Sequence, residues 1–331
     1  MLIAVKNLVK EYRRKKNPET LTKAIQSMIQ PDYEVIRAVD SISLSIEAGE
    51  TVGYVGPNGS GKSTTIKMLS GVLMPTSGSI KINGLNPIKN RKEINKRTGV
   101  VFGNRSVLWW DIPIIESFRV LQKLYEIPEK TFKDNLDLFS EVIGIGTLLG
   151  TPERQLSLGQ KIRCNIAAAF LHNPDIVYLD EPTIGLDSES KLKIREFFHK
   201  IRAERNATFI VTSHDFQDIE SLCERIILIN YGQIIMDEKI DVMRKKFDKK
   251  KQIKFEVDHN PWFIMDNFNM HGVKLLHQTD NSLTLECEIE LADTMSVIGF
   301  ISQFCEIRDL SINGQEIESI IREIVRADNQ K

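Results

Sequence analysis

Four short apolar runs punctuate the first 236 residues: "TVGYVG" (51–56), "DIVYLD" (175–180), "TFIVTS" (208–213) and "RIILIN" (225–230). The middle two are almost wholly apolar, which fits strands covered on both faces of a parallel sheet rather than half-exposed strands that alternate. Between the runs the period changes. Over 188–205, Leu192, Ile194, Phe197, Phe198 and Ile201 make a broad apolar face at helical spacing. Strand and helix patterns in alternation predict an α/β domain over about 1–240.

The pattern shifts beyond residue 251. "QIKFEV", "GVKLLHQ", "SLTLECEI" and "EIRDLSI" predict strands, and "PWFIMDNF", "MSVIGFISQF" and "IESIIREIV" predict helices. Read in order, 252–331 gives βαββαβ plus a last helix, a small ferredoxin-like α+β domain. The basic run "RKKFDKKK" (244–251) between the two patterns reads either as a solvated linker or as a contact for anionic lipid headgroups. An insertion over about 13–34 carries its own stripe: Leu21, Ala24, Ile25, Met28 and Ile29 fall on one helical face behind a possible Thr20 cap. That helix would pack on its own domain, or dock on a partner or a membrane surface.

Charge narrows the field. Lys and Arg number 44 against 45 Asp and Glu, a formal net of −1, without the basic excess of a nucleic-acid binder. The four cysteines (Cys164, Cys223, Cys287, Cys305) are widely spaced, with no CxxC pair, and read as reduced thiols. No window approaches the roughly 18 apolar residues of a membrane span. The opening "MLIAVKNLVKEY" carries charge too early for a secretory leader and reads as a strand. Any membrane link would therefore run through a partner or a surface.

The chemistry begins after the strand at 51–55. "GPNGSGKST", residues Gly56, Pro57, Asn58, Gly59, Ser60, Gly61, Lys62, Ser63 and Thr64, fits G-x-x-x-x-G-K-[ST] and leads into a helical stretch. Glycines let backbone N–H groups turn inward around phosphates, and the helix N-terminus adds a favourable dipole. Lys62 suits the β- and γ-phosphates of ATP, and the Ser63 hydroxyl suits Mg²⁺. "DIVYLDEP" adds Asp180, at the carboxyl end of its strand, as a metal carboxylate. Glu181 follows as a candidate general base for the attacking water.

"RQLSLGQKIRCNIAAAFLHNPDIVYLDEPTIGLD" (154–187) strongly resembles the core of ABC transporter ATPases. "LSLGQ" is similar to that family's signature motif, "IGLD" ending in Asp187 to its D-loop, and "VTSHD" with His214 to its switch histidine. Tyr12 stands where the family places an aromatic that stacks on adenine. The resemblance covers about residues 1–240. It implies a P-loop NTPase core with a helical subdomain over about 104–172, and a head-to-tail dimer that sandwiches two ATP molecules. Each site would then combine Lys62, Ser63, Asp180, Glu181 and His214 of one protomer with Ser157, Gly159 and Gln160 of the other. Ser157 as cap of the helix "LGQKIRCNIAAAF" leaves free N–H groups that suit a γ-phosphate.

This chain looks most like the nucleotide-binding subunit of a bacterial exporter with separate permease chains, held peripherally at the cytoplasmic face of the membrane. Two departures stand out. Leu158 occupies a position the signature usually gives to glycine. Asn104 stands where the family has a glutamine that reaches metal and water; the shorter amide either acts through a bridging water, slows hydrolysis, or is only a turn residue. The neighbouring Trp109 and Trp110 cannot easily share one core pocket. They read as anchors for the permease, as does the 13–34 insertion, or as burial within the helical subdomain. The alternatives are a ribosome- or DNA-acting member of the same superfamily and a soluble P-loop kinase. One P-loop, no sustained heptads, and the presence of "LSLGQ" and "TSHD" count against them.

Overall fold

A computed structural model describes residues 1–15, 33–103, 105–213, 215–247, 250–258 and 270–330. It divides into two compact units, Met1–Lys239 and Ile240–Lys331.

In the first unit the apolar runs become strands within a residue of their expected limits. β1 (Ile3–Lys15), β2 (Tyr33–Ile46), β3 (Thr51–Val55), β4 (Ser77–Ile82), β5 (Thr98–Phe102), β6 (Ile176–Asp180), β7 (Thr208–Thr212), β8 (Arg225–Asn230) and β9 (Gln233–Lys239) form two sheets. The larger has the order β5-β6-β7-β3-β8-β9, parallel except for the β8–β9 edge. β3 and β7 are buried along their whole length, which is why they carry almost no polar alternation. The smaller sheet, β2-β1-β4, is antiparallel. Its Ile3, Val5, Leu8, Val39, Ile42 and Ile46 share one core with Val52, Tyr54 and Tyr178 of the larger sheet.

Six helices matter for the site: α1 (Lys62–Leu69), α2 (Arg91–Asn95), α3 (Ile114–Leu124), α4 (Glu129–Ile143), α5 (Leu158–Phe170) and α6 (Ser188–Arg205). A seventh, α7 (Phe216–Leu222), follows β7. The apolar face read over 188–205 packs as expected. Phe197 and Phe198 meet Phe139, Phe170 and Phe209 in a cluster of edge-to-face and tilted rings 5.1–6.0 Å apart. Each such aromatic pair adds about 0.5–1.5 kcal/mol beyond the area it buries. The cluster locks α4, α5 and α6 to β7.

In the second unit, α8 (Ile240–Phe247) precedes β10 (Lys250–Val257), β11 (Val273–Gln278), β12 (Ser282–Glu288), α9 (Thr294–Ile301), β13 (Ile307–Gly314) and α10 (Ile317–Asp328). The sheet runs β11-β12-β10-β13, all antiparallel. Ile253, Phe255, Val257, Leu283, Leu285 and Cys287 line its core face with strict alternation.

Two expectations change. The described ends of the run 244–251 are not linker: Arg244–Phe247 closes α8, and Lys250 and Lys251 open β10. Ile240 and Met243 are buried and give that short helix its anchor, while its basic last turn suits the negative end of a helix dipole. The edges of the 13–34 insertion belong to the sheet, with Arg13 paired to Val35 and Lys15 to Tyr33. The helix expected behind Thr20, and the one expected over "PWFIMDNF", lie outside the described residues.

Candidate active site

The glycine loop and the β6 carboxylate meet because β3 and β6 end at the same edge of one parallel sheet. α1 starts directly after Gly61, whose φ of +108° no ordinary side chain adopts comfortably. A Cβ there would lie 2.4 Å from the Ala38 carbonyl oxygen, and one at Gly56 would lie 2.1 Å from the Ile229 carbonyl oxygen. The loop is therefore pressed between β2 and β8. Only glycine gives this backbone path.

Lys62 is 7% exposed, and its ammonium donates to the carbonyl oxygens of Gly56 (2.7 Å) and Pro57 (2.9 Å). Burial lowers its pKa, and the nearby Glu181 and Asp180 charges push it back up. A lysine held this way is a positive charge already aimed into the loop. Ser63 Oγ donates to Asp180 Oδ1 at 3.2 Å, across 117 residues of sequence. Thr212, at the end of β7, donates to the same oxygen at 2.6 Å. Asp180 and Thr212 are paired in parallel register, so the hydroxyl is set beside the carboxylate by the sheet itself.

Glu181 follows at once and sits in the left-handed region, φ 56°. Its N–H donates to the Thr212 carbonyl oxygen at 3.0 Å. The turn it opens leads through Thr183 to Asp187, which caps α6 by accepting from Ser190 N at 2.8 Å. That backbone hydrogen bond, with a second from the Ser190 hydroxyl, holds the Asp187 pKa below the usual carboxylate range.

Ser157 caps α5 in a full capping box: its hydroxyl accepts from Gln160 N at 3.3 Å, and Gln160 Oε1 accepts from Ser157 N at 2.9 Å. A cap of this kind stabilises a helix by about 1 kcal/mol. Here it also fixes the direction of the first free N–H groups. Leu158 stands 55% exposed, and a Cβ added at Gly185 would lie 3.0 Å from its Cδ2, so the start of α5 abuts the turn before Asp187 in the same chain. Tyr12 of β1 is 41% exposed, with Lys10 Nζ 5.4 Å from its ring centroid.

Asn104 and His214 lie outside the described residues. Thr212 was not singled out from sequence. A threonine ending the otherwise apolar "TFIVT" was its only signal.

The tryptophans resolve one open alternative. Both indoles are on the surface, Trp109 44% and Trp110 59% exposed, so they are not buried in the helical subdomain. Their backbone is braced nevertheless. Trp109 N donates to Ser117 Oγ (3.1 Å), Arg154 N to the Trp110 carbonyl oxygen (3.2 Å), and Val107 N to Asn165 Oδ1 of α5 (2.9 Å). Lys161 of α5 lies 4.9 Å over the Trp110 ring.

The described residues hold no cluster of three or more His, Cys, Asp or Glu side chains placed for a metal ion. A hydroxyl and a carboxylate in contact, Ser63 with Asp180, are nonetheless the hard oxygen donors that Mg²⁺ takes when substrate phosphates and water complete its shell. No described helix is long and apolar enough to cross a membrane.

Residues 39–184 match the family model for ABC transporters. The chain is similar to the ABC transporter ATP-binding protein NatA of Bacillus subtilis, 33% identical over 62% of this chain and 83% of that protein. It is also similar to the bacitracin transport ATP-binding protein BcrA of Bacillus licheniformis, 32% identical over 74% and 79% of the two chains. The methionine import ATP-binding protein MetN 2 of Enterococcus faecalis is 31% identical over 68% and 67%. Among solved structures, the dimeric ATP-binding cassette MJ0796, in a post-hydrolysis state with ADP and Pi, aligns over 72% of this chain and 98% of its own. The TM-score is 0.59 at 28% identity.

Proposed function

The chain belongs to the ABC transporter family of ATP-binding proteins, and we propose that it is the ATP-hydrolysing subunit of an exporter whose membrane permeases are separate chains. One observation carries the reading of the site: Lys62, Ser63, Asp180 and Glu181 converge at one sheet edge, with Ser63 and Thr212 both donating to Asp180.

In this reading the glycine loop wraps the phosphates of ATP with its N–H groups. Lys62 exchanges its carbonyl partners for phosphate oxygens, which are stronger acceptors for a partly buried ammonium. Ser63 and Asp180, with the Asn104 amide, would hold Mg²⁺. The ion, when bound, neutralises charge on the β- and γ-phosphates. Glu181 takes the proton from water attacking the γ-phosphorus, and His214 is assigned to the γ-phosphate as the switch histidine. Tyr12 stacks on the base.

Ser157, Gly159 and Gln160 serve the site of a second subunit arranged head to tail, with the α5 N-terminus facing its γ-phosphate. The turn before Asp187 lies beside them, with Gly185 against Leu158 and Leu186 against Gly159. ATP binding closes this dimer, and hydrolysis reopens it.

The Trp109–Trp110 segment is the proposed grip on the permease. It combines exposed indoles with a pinned backbone, the arrangement of an interface anchor. Through Asn165 and Lys161 it touches α5, the helix whose start serves the partner's nucleotide. The 13–34 insertion is a second candidate contact. The chain would then sit peripherally at the cytoplasmic face of the membrane. Residues 252–331 form a ferredoxin-like accessory domain in this reading, adding stability or dimer contact.

All three relatives above are named for transport, which favours this role over a ribosome- or DNA-acting one. The bacitracin relative is named for transport without a direction, and the methionine relative, named for import, keeps import as a second reading. The test is to co-express the chain with membrane proteins encoded beside it and to reconstitute the purified complex in vesicles. ATP supplied on the side bearing this subunit should drive cargo away from that side, and Trp109→Ala with Trp110→Ala should weaken co-purification and transport. Cargo moving toward the ATP side would establish import. Unchanged co-purification would remove the tryptophans from the interface.

A further inference from the structure

A second polar cluster lies behind the site. Asp218 of α7 is fully buried, and a buried carboxylate is tolerated only when its oxygens are paired. Arg195 of α6 donates from Nε to Oδ1 at 2.7 Å. Thr183 Oγ1 donates to Oδ2, and Ser213 Oγ donates to the same atom at 3.3 Å. The donors come from three separate segments. Thr183 is two residues past Glu181, Ser213 is one before His214, and Arg195 is two turns along the helix that Asp187 caps.

The neighbouring charges follow the same plan. Asp215 accepts from Lys191 of α6 at 2.5 Å and lies 3.9 Å from Arg195 Nη2, and its N–H donates to Ser213 Oγ at 3.0 Å. α6 therefore holds Asp215 through both Lys191 and Arg195.

We infer that Asp218 is a positioning residue for ATP hydrolysis, locking the Glu181 turn and the segment preceding His214 to helix α6. This rests on the proposed roles of Glu181 and His214. Glu181 holds a left-handed backbone, a conformation that persists in a non-glycine residue only where its surroundings over-determine it. Thr183, 2% exposed and tied to Asp218, is one of those constraints, and the Glu181 N–H bond to Thr212 is another. The carboxylate is a common acceptor for the two hydroxyls, so a shift of α6 reaches the Glu181 turn and Ser213 together. Asp187 opens α6, so this is a route from the proposed dimer interface to the chemistry.

The test uses the full chain, comparing Thr183→Val, Thr183→Ser and Asp218→Asn with wild type, and with Glu181→Gln as reference. Steady-state hydrolysis supplies kcat and KM for ATP, a fluorescent ATP analogue supplies affinity, and thermal melts supply the folded fraction. Thr183→Val is nearly isosteric, so it carries the test even if Asp218→Asn fails to fold. The expected result is a kcat at least about tenfold lower for Thr183→Val and Asp218→Asn, with KM and analogue affinity within about threefold of wild type. Thr183→Ser, which keeps the hydroxyl, should return kcat to near wild type. A purely structural role would lower the melting temperature and leave kcat per folded molecule unchanged. If Thr183→Val keeps kcat within about twofold of wild type while Glu181→Gln is inactive, the positioning role is wrong and the reading of Glu181 stands. If Glu181→Gln itself retains turnover, the general-base reading fails and the positioning role falls with it.

Discussion

Replacing Gly61 by alanine separates what the glycine loop needs from what it tolerates. At Gly61 an added Cβ meets the Ala38 carbonyl oxygen at 2.4 Å, against the 3.4 Å at which ordinary contact begins. That neighbour is backbone of β2 and cannot rotate away. Gly59 is the internal control: its φ is +78°, and a Cβ there meets nothing within 4 Å. Forcing alanine into left-handed backbone costs about 1–2 kcal/mol at either position. Only Gly61 adds the collision. In the free protein the variant loop can relax, so most of the cost appears when ATP requires the original cradle. Each 1.4 kcal/mol, roughly, is a factor of ten in affinity. Gly59→Ala should therefore weaken ATP binding by about tenfold, and Gly61→Ala by at least a further tenfold. Titration with a fluorescent ATP analogue reads the effect, and thermal melts check that both variants remain folded. Equal losses at the two positions would refute the argument that contact with β2 shapes the phosphate cradle.

Glu181→Gln should reduce turnover by a hundredfold or more, the usual scale for losing a positioned general base, while ATP-dependent dimers persist in size-exclusion chromatography. Equal hydrolysis rates would remove the assignment. His172 offers a check on stability. Its ring stacks on Tyr125 at 4.1 Å, Nε2 meets the Thr98 carbonyl oxygen at 3.1 Å, and burial pushes its pKa down to about 4. The unfolded chain binds that proton from about pH 6.5, so the stabilisation is complete above pH 6.5 and is lost as pH falls toward 4. Between pH 7 and pH 5 it contributes a loss of at most about 2 kcal/mol. His172→Phe keeps the stack and should flatten the melting temperature over that interval; an unchanged slope would show that other groups set it.

The second unit shows why some of the architecture was legible from residues alone. Ile253, Phe255 and Val257 alternate with Lys254 and Glu256, and Leu283, Leu285 and Cys287 alternate in turn. Where one face is buried and one is wet, the period of two is written into the sequence. The antiparallel sheet of the first unit was harder to see. β1 is interrupted by register shifts between Val5 and Leu8 and between Leu8 and Lys10, and Asn7 takes a positive φ of 45°. Bulges of this kind break the alternation that sequence reading relies on.

The same division holds at the site. Features built within a few consecutive residues were determined by sequence alone: the glycine loop and its lysine, the Ser157 cap, and the apolar strand that ends in Asp180. Their geometry follows from φ/ψ preference and local hydrogen bonding. Tertiary structure decided the rest. Ser63 meets Asp180 because β3 and β6 end together, and Thr212 reaches the same oxygen because β7 lies beside β6 in register. Only the fold brings Thr183, Arg195 and Ser213 to Asp218, and only the fold leaves both indoles at the surface of the braced 107–110 segment. A carboxylate or an indole looks the same in sequence whether it is paired, buried or exposed. Its partners are chosen by strand order and helix packing across tens of residues, and those are set by how the whole apolar surface closes.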